Sequence, residues 1–159
     1  MFTTKNLDRV LNEVRGLHNK SIFSPKKSIL AYRLSKMSSQ YRGNAIERMI
    51  RDYYKSTGKI VSYIGGSASF DMMVNGRKVE VKSALARVGV VGGGVVKYSY
   101  KFQHICPNNF HKLVLVFVSP EGLSVRVMDS RTAAKYLGSK RAHRNLYVGK
   151  RIVGKVLAA

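Results

Sequence analysis

The dipeptide Asn75-Gly76 constrains this chain more than any other feature. A two-residue type I′ turn needs positive φ at both central positions, which Asn and Gly tolerate, and its twist matches that of the strands it joins. Met72 to Val74 leads into the dipeptide, and Lys78 to Lys82 leaves it with valine and charge alternating. The turn therefore predicts a tight hairpin in which Val74 faces Arg77, Met72 faces Val79 and Asp71 faces Glu80. Directly opposed side chains sit about 5 Å apart at Cβ, and two like charges so placed destabilise a hairpin. A divalent cation held between the two carboxylates offsets that repulsion, and hard oxygen ligands suit magnesium.

Charge supplies the second constraint. Lysine and arginine total 29 against 8 acids, a formal net charge of +21. Self-repulsion of that size points to a polyanionic partner, with nucleic acid first. A membrane surface would also attract the charge, but no stretch approaches the roughly 20 apolar residues of a spanning helix. The N-terminus lacks the apolar core of a secretory signal, and the single Cys106 cannot form an internal disulfide. An intracellular protein is expected, cytoplasmic or nucleoid-associated and not secreted. One cysteine also excludes the paired spacing of a structural zinc site, so Cys106 and nearby His111 read as an incidental pair.

At 159 residues, 45% of them hydrophobic, the chain can bury one core. A single domain is expected: a basic helical extension over 1–39, a catalytic core over 40–137 and a basic tail over 138–159. Leu7, Val10, Leu11 and Val14 repeat at helical spacing ahead of Gly16. After Ser24-Pro25, the stretch Lys26 to Lys36 reads as a basic amphipathic helix. Residues 38–44 lead into a helix with Ile46, Met49, Ile50 and Tyr53 on one face, closing at Thr57-Gly58, with Glu47 bordering that face. An apolar strand from Ile60 to Ile64 and a small-residue turn at 65–69 precede the hairpin. The glycine-rich segment Gly89 to Val96 has no following Gly-Lys-Ser/Thr, so it is no nucleotide-cradling loop and reads first as a mobile loop and second as a DNA-contacting one. Strands follow at Lys112 to Val118 and Leu123 to Met128, joined at Pro120-Glu121-Gly122, then a helix from Thr132 to Leu137.

Strand alternation puts Val79 and Val81 on one face and Glu80 and Lys82 on the other. Lys82 therefore projects beside the carboxylates, where an ammonium orients or helps deprotonate a metal-bound water and stabilises charge developing on a phosphate. The same ammonium also suits a plain surface salt bridge to Glu80. Glu47 reaches the rim of the metal site if its helix packs on this sheet; otherwise it is an exposed residue paired with Arg51 one turn on.

Glu47 on a helix, then Ser69-Phe70-Asp71 on a strand, then Val79-Glu80-Val81-Lys82, resembles the PD-(D/E)XK nuclease superfamily over about residues 40 to 130. Phe70 stands where the family's name-giving proline would. The resemblance implies an α/β, restriction endonuclease-like core, a mixed central β-sheet flanked by helices. It also implies that Asp71 and Glu80 bind the catalytic metal, that Lys82 acts on the attacking water, that Glu47 supports the site as a further metal ligand, and that hydrolysis leaves a 5′-phosphate. The cofactor so implied is magnesium, with manganese able to substitute. Tyr100 to Ile105 also resembles restriction-type members, and within it Gln103 supports the site or serves as an ordinary structural glutamine.

Three readings follow. The first is a sequence-specific endonuclease of restriction or homing type, cutting double-stranded DNA as a homodimer or higher homo-oligomer so that each subunit cuts one strand. The second is a Holliday-junction resolvase, which Arg42 to Glu47 also resembles. The third is a nucleic-acid-binding protein without catalysis. Phosphate contacts would fall to Lys26, Lys27, Arg33, Lys36, Arg87, Lys97, Lys140, Arg141 and Arg144.

Overall fold

The computed structural model of the chain describes residues 22–64, 68–91 and 95–149, with backbone alone at 89–91 and 95–97. The helix expected over 4–16 and most of the turn at 65–69 lie outside the described residues, as do the tail's Lys150, Arg151 and Lys155.

Two helices open the described chain. Helix α1 spans Ile29–Lys36, and the hydroxyl of Ser28 caps it by accepting the N–H of Ala31. It starts later than expected, because Pro25, Lys26 and Lys27 form a turn ahead of the cap. Helix α2 spans Ser39–Ser56 behind the cap residue Ser38. The supposed lead-in is thus part of the helix, Gly43 included. Its buried stripe is Ile46 and Ile50, one turn apart, whereas Met49 and Tyr53 are exposed, which corrects the expected face. Gly58 ends the helix at φ 76°, a left-handed conformation that favours glycine.

A five-stranded mixed sheet carries the core. Its strands are β1 (Val61–Tyr63), β2 (Met72–Val74), β3 (Arg77–Leu85), β6 (Lys112–Ser119) and β7 (Gly122–Asp129), in the order β1-β2-β3-β6-β7. The β1 strand is shorter than the expected 60–64. Only β3 and β6 run parallel, with Glu80 beside Leu113 and Lys82 beside Leu115. Continuous burial from Leu113 to Val118 fits a central strand covered on both faces. Helix α1 packs against β6 and β7, and α2 against β3 and β1.

A second, three-stranded antiparallel sheet is built from β4 (Arg87–Val91), β5 (Val95–Ile105) and β8 (Arg144–Gly149), in the order β4-β5-β8. Tyr100 and Phe102 of β5 each meet Phe117 of β6 edge-on at 5.0 Å, which joins this sheet to the central one. Two expectations are corrected here. The two flanks of the glycine-rich segment, expected to belong to a loop, are paired strand, with Gly89 opposite Lys97 and Val91 opposite Val95. Residues 144–149 of the supposed tail are a strand, because Leu146 and Val148 alternate inward against β5. Helix α3 (Ser130–Leu137) is capped by Asp129, whose Oδ1 accepts the N–H of Thr132 at 2.6 Å. No helix among the described residues is long and apolar enough to cross a membrane.

Candidate active site

The Asn75-Gly76 turn forms as the sequence predicts, with φ 49° and 74° and with Val74 opposite Arg77 and Met72 opposite Val79. The ladder stops there. Asp71 lies one residue beyond it, in a bend, and its backbone N–H donates to Val79 O at 3.0 Å. Its Oδ2 accepts the N–H of Val81 at 2.6 Å. That N–H lies two residues beyond the last β2 partner on β3, so a carboxylate oxygen takes the place of the strand that has turned away.

Glu80 and Lys82 share the face of β3 set by alternation, and Lys82 Nζ lies 2.6 Å from Glu80 Oε1. With the Glu80 side chain 10% exposed and that of Lys82 27%, this is no surface salt bridge of small consequence. Burial raises the Glu80 carboxyl above its ordinary range; Lys82 opposes the rise and Asp71 adds to it. Burial likewise raises Asp71, against the Val81 N–H and Lys82. Glu47, half-buried on α2, is pushed up to about 7 by burial first and then by Asp71 and Glu80. Its i+4 neighbour Arg51 pairs instead with Asp52, at 3.8 Å, and lies over the Tyr63 ring.

Glu47, Asp71, Glu80 and Lys82 therefore act on one another electrostatically, in a chain that has only 8 acids to place. Gln103 sits apart from them in the hydrogen-bonding pattern. It is exposed in a bulge of β5, where Gln103 and His104 face Asn145 alone and His104 takes a φ of 55°. Among the described residues no hydrogen bond ties it to the carboxylates.

The donor set suits a hard cation only in part. No group of three or more His, Cys, Asp or Glu side chains among the described residues could cage a metal. Asp71 Oδ1 and Glu80 Oε2 are the oxygens that the Val81 and Lys82 contacts leave over. Magnesium is commonly held by one or two carboxylates and completes its shell with phosphate oxygens and water, so a pair of carboxylates is a chemically suitable donor set for it.

Of the expected phosphate contacts, Lys26 and Lys27 occupy the turn before α1, and Lys27 Nζ lies 3.9 Å from Glu121. Arg33 and Lys36 are exposed on the last turn of α1, Arg87 opens β4, and Lys97 lies on β5. Lys140, Arg141 and Arg144 are exposed on or beside the connection from α3 to β8. That connection is tied down: Cys106 Sγ donates to Arg141 O at 3.3 Å, and Asn108 N–H donates to Lys140 O at 2.9 Å. His111 has a separate task, its Nδ1 accepting the N–H of Lys78 at 2.9 Å, so it shares no site with Cys106. The same connection carries His143, whose charge acts on Glu80. Sequence reasoning missed His143, and its one signal was membership of the basic stretch after Gly138.

No protein-family model matches the chain, and neither does any curated protein. Among solved structures it is similar to a bacterial homing endonuclease, I-Ssp6803I, at 18% identity over 70% of this chain and 75% of that one, with a TM-score of 0.49. At so low an identity and TM-score, the reading of the site rests on its own geometry.

Proposed function

We propose that this chain is a DNA endonuclease that hydrolyses phosphodiester bonds with magnesium at Asp71, Glu80 and Lys82, with Glu47 in support. The observation that carries the reading is the buried Glu80 with Lys82 Nζ at 2.6 Å and Asp71 coupled to both, in a chain of net charge +21. Burying acids where the partner is a polyanion weakens binding, which makes sense if they do chemistry on that partner.

Asp71 and Glu80 would hold the metal, with manganese able to replace magnesium. When bound, the ion supplies a low-pKa water and neutralises charge developing on the phosphoryl oxygens. Lys82 positions the attacking water and opposes negative charge at the phosphate. Glu47, pushed up to about 7, holds or releases a proton near neutral pH at the rim of the carboxylate pair. These roles are those of the PD-(D/E)XK pattern. Sequence-specific cutting of both strands by a homodimer is the form of the activity we favour, since one such site serves one strand.

Purified chain incubated with a complex DNA and magnesium tests the reading, with EDTA as control. Discrete fragments that need the metal support it, and intact DNA across a range of metal and salt concentrations contradicts it. Cleavage of a synthetic four-way junction independent of sequence would instead identify a junction resolvase.

A further inference from the structure

Beside the carboxylates, helix α2 and the edge strand β1 make a second arrangement. Arg51 lies over the ring of Tyr63, its guanidinium carbon 5.3 Å from the ring centroid. Tyr63 is the last residue of β1, pairs with Met72, and is 60% exposed. The next residue, Ile64, donates its N–H to Asp71 O at 3.4 Å, so Tyr63 is anchored within two residues of Asp71 along the paired strands. Arg51 stands one helical turn after Glu47 and acts on it electrostatically. A basic and aromatic pair is thereby fixed to the helix that carries Glu47 and to the strand whose end is bonded to Asp71.

The arrangement does little for the fold alone. Among the described residues Arg51 Nε is buried with no hydrogen-bond partner, and its one ion pair, to Asp52 at 3.8 Å, is too long for a hydrogen bond. The Asp52 side chain is 64% exposed, where an ion pair is weak. Tyr63 leaves most of a large apolar ring in water on an edge strand. A guanidinium held over an aromatic ring is suited to a phosphate, which its fork of donors matches, and the ring edge or face suits a nucleotide's sugar and base.

We propose that Arg51 and Tyr63 form a nucleotide-binding contact flanking the Asp71–Glu80 site, Arg51 taking a backbone phosphate next to the scissile one and Tyr63 packing against that nucleotide. The proposal rests on the endonuclease reading and adds to it a subsite that aligns the strand for cutting. Neither residue touches the reacting atoms.

The test measures duplex DNA binding by the full chain in EDTA, where no cutting occurs, as a function of salt. Arg51→Ala is expected to weaken binding about tenfold and to lower the slope of log affinity against log salt by about one. Arg51→Lys keeps the charge and loses the fork, so its slope stays at the wild-type value while affinity falls. Tyr63→Leu, at an exposed edge position, is expected to weaken binding several-fold without changing the slope. Thermal unfolding of each variant checks folding; if Arg51→Ala proves poorly folded, Arg51→Lys and Tyr63→Leu decide the matter. Wild-type affinity and salt slope in all folded variants would overturn the subsite. If at the same time the wild type cuts with magnesium and Glu80→Gln does not, the endonuclease reading survives that failure. A wild-type chain that neither binds nor cuts DNA would overturn both.

Discussion

Asp71 Oδ2 lies 2.6 Å from the backbone nitrogen of Val81, and this bond, together with that from the Asp71 N–H to Val79 O, ties the bend before β2 to the middle of β3. The carboxylate thus has a structural duty beside the chemical one proposed for it, and substitution can separate the two. Asp71→Ala leaves the Val81 N–H without its partner and is expected to cost about 1–3 kcal/mol in urea unfolding. Asp71→Asn keeps an acceptor oxygen there and is expected to unfold close to wild type while losing DNA cutting.

Lys82 stands against a buried acid. Lys82→Met keeps the length of the side chain and removes the charge, so Glu80 loses the neighbour that most opposes the effect of its burial. Its carboxyl should then titrate higher, a change that carboxyl-labelled NMR reads directly. Cutting should fall at least about a hundredfold, with duplex binding within a few-fold of wild type. Unchanged cutting would remove Lys82 from the chemistry.

Glu47 is expected to contribute to the pH dependence of stability. Its folded pKa of about 7 lies above its ordinary value of 4.5, so the fold favours the protonated form. Its contribution is fully present below about pH 4.5 and is lost as pH rises through about 7. In EDTA, the urea midpoint should therefore decline over that window. Glu47→Gln should flatten the decline, leaving the part due to Asp71 and Glu80, which are raised in the same direction. Equal slopes for wild type and Glu47→Gln would mean that Glu47 is solvated.

On the proposed function magnesium would bind the folded carboxylate pair and not the unfolded chain, so it should raise the unfolding temperature of the chain in the absence of DNA. A hundredfold excess over its dissociation constant corresponds to about 2.7 kcal/mol. Asp71→Asn and Glu80→Gln should each abolish the shift. A shift that persists in both would place the ion elsewhere.

Much of the site could be read before the fold. The Asn75-Gly76 turn specifies register over a few residues, so the proximity of Asp71 and Glu80 and the placement of Lys82 needed only local rules. Even so, the ladder ends at Met72, and no local rule shows that Asp71 turns off it to cap Val81. The start of α2 was missed because Gly43 looks like a lead-in, although a capped helix absorbs one glycine at a cost of about 1 kcal/mol. In the segment from Gly89 to Val96 the glycines outweighed the paired valines, and β8 was hidden because Arg144, Asn145 and Tyr147 surround the inward pair Leu146 and Val148. The places of His143 and of Arg51 over Tyr63 depend on contacts between distant segments, which spacing along one chain cannot reveal.

The most direct test of the central claim is cutting of duplex DNA by wild type and Glu80→Gln under the same magnesium concentration, with binding measured in parallel. Glu80→Gln keeps the side chain's shape and removes its charge. The account predicts magnesium-dependent cutting by the wild type, and a loss of about a hundredfold or more in the variant, which still binds the duplex. Cutting by Glu80→Gln at the wild-type rate would contradict it.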